Sequence, residues 1–317
     1  MIPKTHIIYG MSACVAAFGI LAVILFMRVP LEHQSLPATT LSRDANSAVP
    51  HDPFAGITLT AHAAYVFDAE RGVPLFALHE NVQLPLASLT KIMTALVAIE
   101  TGEPDDTITV TGDAIALEGD QGLRQGEKWR LGDLIDLMLL SSSNDGAHAI
   151  ASAVGATEGT LADADIGNAF VRAMNQKARA LSLTQTYFLN ESGLDVNEGV
   201  SGAYGSARDV ARLLEYVIMR HPEIIEATRY KMLETASLKE RHTAKNTNQF
   251  VENIPGLIAS KTGFTDLAGG NLAIAFDAGL SHPVIVVVLG STEKERFTDA
   301  GILIDAAMQY FSGEKLL

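Results

Sequence analysis

The chain has 317 residues and a net charge of −14, from 23 basic and 37 acidic side chains. The acidic residues are spread along the chain and no basic stripe is present, which argues against a nucleic-acid partner and against a polybasic lipid-binding patch. Hydrophobic residues make up 48% of the chain, enough for a substantial core, and the single cysteine leaves no intramolecular disulfide.

The N-terminal region divides into two parts by composition. Residues 7–27 carry no charge, and no Ala-x-Ala cleavage site closes this run. A run of this length can span a bilayer and is longer than most signal-peptide cores. We therefore expect residues 1–28 to be an uncleaved membrane anchor, with a cleaved secretion signal as the alternative. Residues 29–55 contain four prolines among Ser, Thr and Ala, which predicts a flexible linker.

Strand patterns occur at both ends of the expected folded domain, residues 56–317. Residues 62–68 and 73–78 read as a hairpin in which Gly72 supplies the turn. Three short apolar runs near the other end also predict strands: 258–262, 270–276 and 284–289.

Helical periodicity occupies the middle of the domain and its last segment. It dominates from residue 131 to about 225 and returns at 293–311, whereas 107–130 shows no clear period. Strands at both ends with helices between them predict an α+β fold. We expect an antiparallel sheet built from the N- and C-terminal strands, flanked by helices, together with a helical lobe.

Ser88 and Lys91 form the first candidate catalytic pair. Ser88 opens a predicted amphipathic helix, and the Lys91 amine, three residues on, lies one helical turn away over the serine hydroxyl. A serine becomes a good nucleophile when a base takes its proton, and a buried lysine can be that base. Ser-x-x-Lys also occurs at Ser291 and Ser312, and a serine helix cap beside a solvated lysine is the alternative for Ser88.

Two further polar clusters lie at junctions of the predicted elements. Ser142 and Asn144 belong to the only Ser-x-Asn of the chain, in a short loop between two helices. The only Lys-Thr-Gly begins at Lys261, at the end of the first of the late strands. Taken singly, the first cluster could cap a helix and the second could be a solvated lysine beside a glycine turn.

Taken together and in this order, the three motifs are the set associated with penicillin-binding proteins and class A β-lactamases. The chain from about 60 to 311 resembles the serine D-alanyl-D-alanine carboxypeptidases, the low-molecular-mass penicillin-binding proteins. Residues 188–194 are similar to the family's Phe-x-Asn-x-x-Gly-Leu segment, whereas Gly146 stands where the family usually has alanine. The resemblance implies a β-lactamase/penicillin-binding-protein-like fold.

The resemblance also implies the reaction. The expected substrate is a peptidoglycan stem peptide ending in D-Ala-D-Ala, and β-lactam antibiotics are the expected inhibitors. Ser88 would attack the carbonyl between the two D-alanines, and Lys91, kept partly neutral by burial and by the second cation Lys261, would take its proton. Ser142 would relay a proton to the leaving amine, and water would then release the acyl-enzyme.

The resemblance assigns substrate binding to the rest of the motif residues. Asn144 would bind the substrate backbone, and Arg296 would hold the terminal carboxylate together with the Lys-Thr pair. The backbone N–H groups of Ser88 and Phe264 would form an oxyanion hole. The implied substrate-binding set is Asn144, Lys261, Thr262, Gly263, Phe264 and Arg296.

No cofactor or metal is implied, because the nine histidines lack metal-ligand spacing, and His148 is expected on a helix surface. The substrate places the catalytic domain, 56–317, outside the cytoplasmic membrane, held there by residues 7–27. A D,D-endopeptidase acting on cross-linked peptides is the main alternative. A class A β-lactamase is disfavoured because Thr186 stands where those enzymes carry their deacylating glutamate, and a non-catalytic wall-binding module is disfavoured because all three motifs are intact.

Overall fold

The computed structural model of the chain describes residues 52–314, except for 120–121, 158–162 and 280. The expected anchor and nearly all of the expected linker therefore lie outside the described residues. Within the described part, none of the helices is both long enough and apolar enough to cross a membrane. Phe54 is buried and stacks on Phe76 with 5.9 Å between ring centroids, so packed structure is present two residues before position 56.

The described strands are short except for three near the end of the chain. In chain order they are β1 (Ala63–Asp68), β2 (Val73–Leu78), β3 (Leu84–Pro85), β4 (Thr107–Thr109), β5 (Lys128–Arg130), β6 (Tyr187–Phe188), β7 (Ala203–Gly205), β8 (Met232–Ala236), β9 (Arg241–Lys245), β10 (Leu257–Thr265), β11 (Gly269–Asp277) and β12 (Pro283–Ser291).

Most of the described helices lie between β3 and β8. They are α1 (Thr90–Thr101), α2 (Gly112–Ile115), α3 (Leu131–Ser141), α4 (Asn144–Thr157), α5 (Asp163–Ala180), α6 (Ala207–Arg220), α7 (Pro222–Ile225) and the closing helix α8 (Glu295–Glu314). Three 3-10 turns occur at Ala87–Leu89, Glu226–Arg229 and Val251–Asn253.

The main sheet has five antiparallel strands in the order β10-β11-β12-β1-β2. The N- and C-terminal strands thus form one sheet, which confirms the predicted α+β fold. Its inner strands are covered on both faces, because α8 packs on one side and α6 with the helical lobe on the other. Residues 284–289 of β12 are completely buried, which explains why this strand reads as an unbroken apolar run rather than an alternating one.

The helix after Ser88 differs from the prediction in one respect. It is not amphipathic, because every residue of α1 from Thr90 to Ala98 is buried. The helices α3, α4, α5 and α6 surround it, so the polar side chains Thr90, Lys91 and Thr94 are enclosed with the apolar ones. The helix that carries the candidate base is therefore the centre of the helical lobe.

Several small elements were not predicted from the sequence. In the region without a clear period, β4 and β5 pair with Ile108 opposite Trp129, and α2 lies between them in the chain. The hairpin β8–β9 and the three-stranded sheet β3-β7-β6 complete the described part. None of these strands exceeds five residues, which is too short for periodicity to reveal.

Gly193 allows the 3-10 turn at Ala87–Leu89 to pack against the segment that follows β6. Its φ of +79° favours glycine, and an added Cβ would lie only 1.9 Å from the Ala87 carbonyl oxygen. Gly72, in the β1–β2 turn, has a similar φ of +69°, but nothing lies within 4 Å of an added Cβ. Alanine at Gly72 would therefore introduce backbone strain alone, whereas alanine at Gly193 would introduce both backbone strain and a steric clash.

Gly72→Ala is expected to lower the free energy of unfolding by about 1 kcal/mol, because only the left-handed backbone is penalised. Gly193→Ala is expected to cost at least about 2 kcal/mol more, since the turn at Ala87 must also move. Urea unfolding of the two variants measures the difference. Equal losses would show that the Gly193 contact with Ala87 adds nothing to stability.

Candidate active site

Ser88 and Lys91 are in direct contact at the start of the central helix. Ser88 is half-buried in the Ala87–Leu89 turn, and Lys91 lies in the first turn of α1. The Lys91 Nζ lies 2.9 Å from the Ser88 Oγ, so the pair has the geometry of a nucleophile beside a base. The residue before the serine, Ala87, has a left-handed φ of +47°, which marks the sharp turn that presents the hydroxyl.

Lys91 is fully buried and has two further hydrogen-bond acceptors. Its Nζ donates to the Asn144 Oδ1 at 2.7 Å and to the Ser192 carbonyl oxygen at 2.8 Å. Burial lowers the pKa of the Lys91 ammonium to about 7, although Glu191 and Asp145 oppose this effect. A large fraction of Lys91 is therefore neutral near pH 7 and able to accept a proton.

Ser142 and Lys261 form a second serine–lysine pair from distant parts of the chain. Ser142 ends α3 in the left-handed conformation, φ +62°, which turns its side chain out of the helix path. Lys261, on β10, donates from Nζ to the Ser142 Oγ at 2.9 Å and to the Thr262 carbonyl oxygen at 2.8 Å. The second predicted motif and the third therefore meet at one hydrogen bond.

Different charges act on the two buried lysines. The pKa of Lys261 lies well below its usual value because of burial first, and then because of the cations Lys91 and Arg296. The charges that act on Lys91 are the carboxylates of Glu191 and Asp145, which favour its protonated form. The sequence predicted that burial and the second cation together keep Lys91 partly neutral. Burial is the cause that lowers the Lys91 pKa, whereas repulsion between cations is a cause at Lys261.

Asn144 connects the first pair to the rim of the site. Its Oδ1 accepts from Lys91, and its Nδ2 donates to the Glu118 carbonyl oxygen at 2.7 Å. Because both ends of the amide are engaged, a substrate carbonyl that binds Asn144 must share or replace the contact with Glu118. Asn144 lies at the start of α4 and is nearly buried.

The end of β10 lies directly against the nucleophile turn. A Cβ added to Gly263 would lie 2.9 Å from the Leu86 carbonyl oxygen and 3.2 Å from the Ser88 nitrogen, so only glycine allows this approach. Phe264 follows with a side chain that is 45% exposed. Arg296, buried at the start of α8, donates from Nη1 to the Gly263 carbonyl oxygen at 2.7 Å.

Thr262 is also nearly buried at this end of β10. Its hydroxyl lies 2.5 Å from that of Thr247, a residue that the motifs did not indicate. A groove of about 650 Å³ lies next to the end of β10. Its lining includes Glu118, Leu194, Asp195, Phe264 and Thr265.

The serines of the other two Ser-x-x-Lys matches are bonded to other partners. Ser291 donates to the Asp299 Oδ2 at 2.7 Å, and Ser312 donates to the Met308 carbonyl oxygen at 2.7 Å. A serine hydroxyl bonded in this way has a structural partner rather than a base. Of the three matches, the structure supports Ser88 as the nucleophile.

Two residues close to Lys91, Glu191 and Ser192, were not predicted as site residues. Ser192 supplies an acceptor to Lys91, and Glu191 is buried beside it. His148, expected on a helix surface, is half-buried and its Nδ1 lies 2.8 Å from the Glu191 Oε1. The segment 188–194 was noticed only as a family resemblance, and nothing in the residue types alone showed that it reaches α1.

One group of potential metal ligands occurs among the described residues, away from these pairs. The ligand atoms of Glu127, Glu240 and His242 lie within 4.8 Å of one another. Glu127 is already bonded to His242 at 2.6 Å, and Glu240 pairs with Arg124 at 2.6 Å. The group therefore has internal partners for its charges, and it does not touch the serine–lysine pairs.

Comparisons with known proteins agree with this geometry. A family profile described as D-alanyl-D-alanine carboxypeptidase matches residues 46–293. The carboxypeptidase DacF of Bacillus subtilis is 27% identical over 81% of this chain, which spans 64% of that relative's length. A D-alanyl-D-alanine endopeptidase of Pseudomonas aeruginosa is 30% identical over 76% of this chain and 75% of its own.

A solved structure shows the same fold. The ampicillin-bound form of a penicillin-binding protein from Listeria monocytogenes is 28% identical and has a TM-score of 0.68. The match covers 79% of this chain and 98% of that one. The family profile spans most of the chain and includes all three motifs, the last of which ends at Gly263. The chain belongs to the D-alanyl-D-alanine carboxypeptidase family.

Proposed function

We propose that the protein is a serine peptidase that removes the terminal D-alanine from peptidoglycan stem peptides through an acyl-enzyme on Ser88. The observation that carries this proposal is the direct contact of each of two buried lysines with a serine hydroxyl, Lys91 with Ser88 and Lys261 with Ser142. The substrate class rests on family membership, because the geometry alone supports acyl transfer in general.

In the first step, Lys91 takes the Ser88 proton while the serine oxygen attacks the carbonyl between the two D-alanines. The alkoxide bonds to the carbonyl carbon, and the oxygen of the tetrahedral intermediate takes the negative charge. Backbone N–H groups of Ser88 and Phe264 are the proposed donors to that oxygen, each worth about 3–4 kcal/mol. The close approach of Gly263 to the Ser88 nitrogen supports this assignment.

In the second step, the carbon–nitrogen bond breaks and the leaving amine takes a proton from Ser142. The Ser142 hydroxyl recovers this proton from the Lys91 ammonium formed in the first step, with Lys261, which is bonded to Ser142, as the proposed relay, so Lys91 is neutral again. Water then attacks the acyl carbonyl and gives a proton to the neutral Lys91, and Lys91 passes this proton to the Ser88 oxygen as the acyl–oxygen bond breaks. The balance is one water added and one D-alanine released.

Substrate binding is assigned to the residues around this centre. Lys261, Thr262 and Arg296 surround the end of β10 and are proposed to hold the terminal carboxylate. Asn144 is proposed to bind the substrate backbone. Gly263 allows β10 to approach the nucleophile, and Phe264 lines the groove next to the end of β10.

Cleavage of cross-linked peptides is the second candidate function. The relative from P. aeruginosa is named an endopeptidase, and the same serine–lysine pairs serve either substrate. A class A-like β-lactamase remains disfavoured, since the Thr186 hydroxyl is bonded to Asp209 at 2.9 Å and provides no carboxylate. A silent wall-binding module is disfavoured by the contacts of both serine–lysine pairs.

We also propose the cellular arrangement that the sequence predicted. Residues 56–317 would be the catalytic domain, tethered by 29–55 to an anchor formed by 7–27 in the cytoplasmic membrane. The substrate lies outside that membrane, so the domain would face outward. The uncharged run at 7–27 supports the anchor. Secretion after signal cleavage is the alternative.

Ser88→Ala is expected to abolish both penicillin acylation and the release of D-alanine from a D-Ala-D-Ala peptide, because no other hydroxyl lies against Lys91 among the described residues. Intact-mass spectrometry through time detects the adduct, and chromatography detects D-alanine. Ser312→Ala, which alters another Ser-x-x-Lys match, is the control and is expected to behave as the unaltered protein.

Three outcomes of this experiment separate the candidates. An adduct that lasts many minutes supports a penicillin-binding peptidase, and one that vanishes at once would favour the β-lactamase. No adduct on folded protein would favour the silent module. Release of D-alanine from the linear peptide, compared with cleavage of a cross-linked dimer, distinguishes the carboxypeptidase from the endopeptidase.

The acylation rate is expected to rise with pH and to level off above the Lys91 pKa of about 7. Only the neutral amine accepts the serine proton, so the rate falls about tenfold for each pH unit below that value. Stopped-flow measurement with a chromogenic cephalosporin gives the profile. A flat rate across this range would exclude Lys91 as the base.

A further inference from the structure

We propose that Glu191 is a positioning residue that joins the helices carrying Lys91 and Asn144 and sets the charge around the Lys91 amine. This inference rests on the proposed function, in which Lys91 is the base. It concerns a buried carboxylate that lies in none of the three motifs.

The backbone of Glu191 and Ser192 is bound to α1 at two neighbouring points. The Glu191 carbonyl oxygen accepts a hydrogen bond from the Thr94 hydroxyl at 2.6 Å, and the Ser192 carbonyl oxygen accepts one from Lys91 at 2.8 Å. Lys91 and Thr94 are three residues apart, so they lie on one side of the helix. Two consecutive carbonyl groups thus hold the segment along α1.

The side chain of Glu191 reaches the other helix. Its Oε1 lies 2.8 Å from the His148 Nδ1 on α4. His148 follows Asn144 by four residues, so both side chains lie on the same side of α4. Asn144 also accepts a hydrogen bond from Lys91. The contacts between α1, α4 and the 188–194 segment therefore form a closed ring around the Lys91 amine.

The charges around this ring are unevenly distributed. Glu191 and, from α4, Asp145 act on Lys91, whereas Lys261 approaches from β10 with Arg296 behind it. Asp113 on α2 acts on His148. The hydrogen bond to Glu191 raises the pKa of His148, although burial of the imidazole opposes this effect. His148 in turn lowers the pKa of Glu191, although burial of the carboxylate opposes that effect. The pair therefore favours the carboxylate form of Glu191 inside the protein.

A carboxylate beside a buried ammonium stabilises the charged form of that ammonium. Without Glu191, Asp145 would be the one carboxylate left to oppose the effect of burial on the Lys91 pKa. Glu191 thus keeps the Lys91 pKa near neutrality, where the amine can both accept a proton and return it.

Glu191→Gln tests this role, because the amide keeps the size of the side chain and removes only its charge. The protein is labelled with ¹³C-lysine, and the Lys91 Cε resonance, assigned with Lys91→Arg, is followed by NMR as the pH changes. The midpoint is expected to fall by about one pH unit. The pH profile of acylation is expected to move in the same direction.

Two further variants make the result specific. Glu198→Gln removes an exposed carboxylate from the chain just beyond the same segment, and it is expected to leave the midpoint in place. His148→Gln removes the cation from Glu191, so the carboxylate acts more strongly on Lys91 and the midpoint is expected to rise. This variant also tests the proposal if Glu191→Gln does not fold.

An unchanged Lys91 midpoint in Glu191→Gln, with or without a loss of rate, would reduce Glu191 to a structural residue and overturn the proposal. A midpoint in His148→Gln that stays or falls would do the same for the pair. The NMR titration does not require acylation. If the unaltered protein formed no adduct, the proposed function would fail while the electrostatic role of Glu191 was still decided.

Discussion

The burial of the Lys91 ammonium is the constraint on which the rest of the structure depends. A charged amine removed from water is stable only if its N–H groups find acceptors. Here the acceptors come from three places: the turn before α1, the start of α4 and the segment after β6. Each must be positioned to within a few tenths of an ångström, so the packing of the helical lobe and the geometry of the site are one problem.

The two lysines show how surroundings divide identical groups into different roles. Both are buried, and both contact a serine hydroxyl. Burial lowers the pKa of both, but carboxylates oppose this effect at Lys91, while two cations add to it at Lys261. Groups whose surroundings push their pKa values apart are the usual basis for separate proton-transfer roles. The surrounding charges, rather than the residue type, therefore distinguish the two lysines.

The sequence predicted the sheet and the motif residues because each leaves a local mark. The apolar runs of β11 and β12 are long, and Ser-x-x-Lys fixes the distance between its members through helix geometry. The sequence could not show that α1 is buried on all sides, since the burial of α1 depends on which helices surround it. It also missed the contact between His148 and Glu191, which lie 43 residues apart and carry no spacing signal.

The pairing of β1 with β12 has a consequence for how the chain reaches this state. The Ala61 N–H is bound to Asp299, 238 residues further on, and Ala63 lies opposite Leu289. Contacts of such high sequence separation form slowly and late, because a long loop must close first. The central sheet therefore completes only after the last strand has been synthesised. Until then, the apolar strand β1 lacks its partner β12 and is open to pairing with other chains.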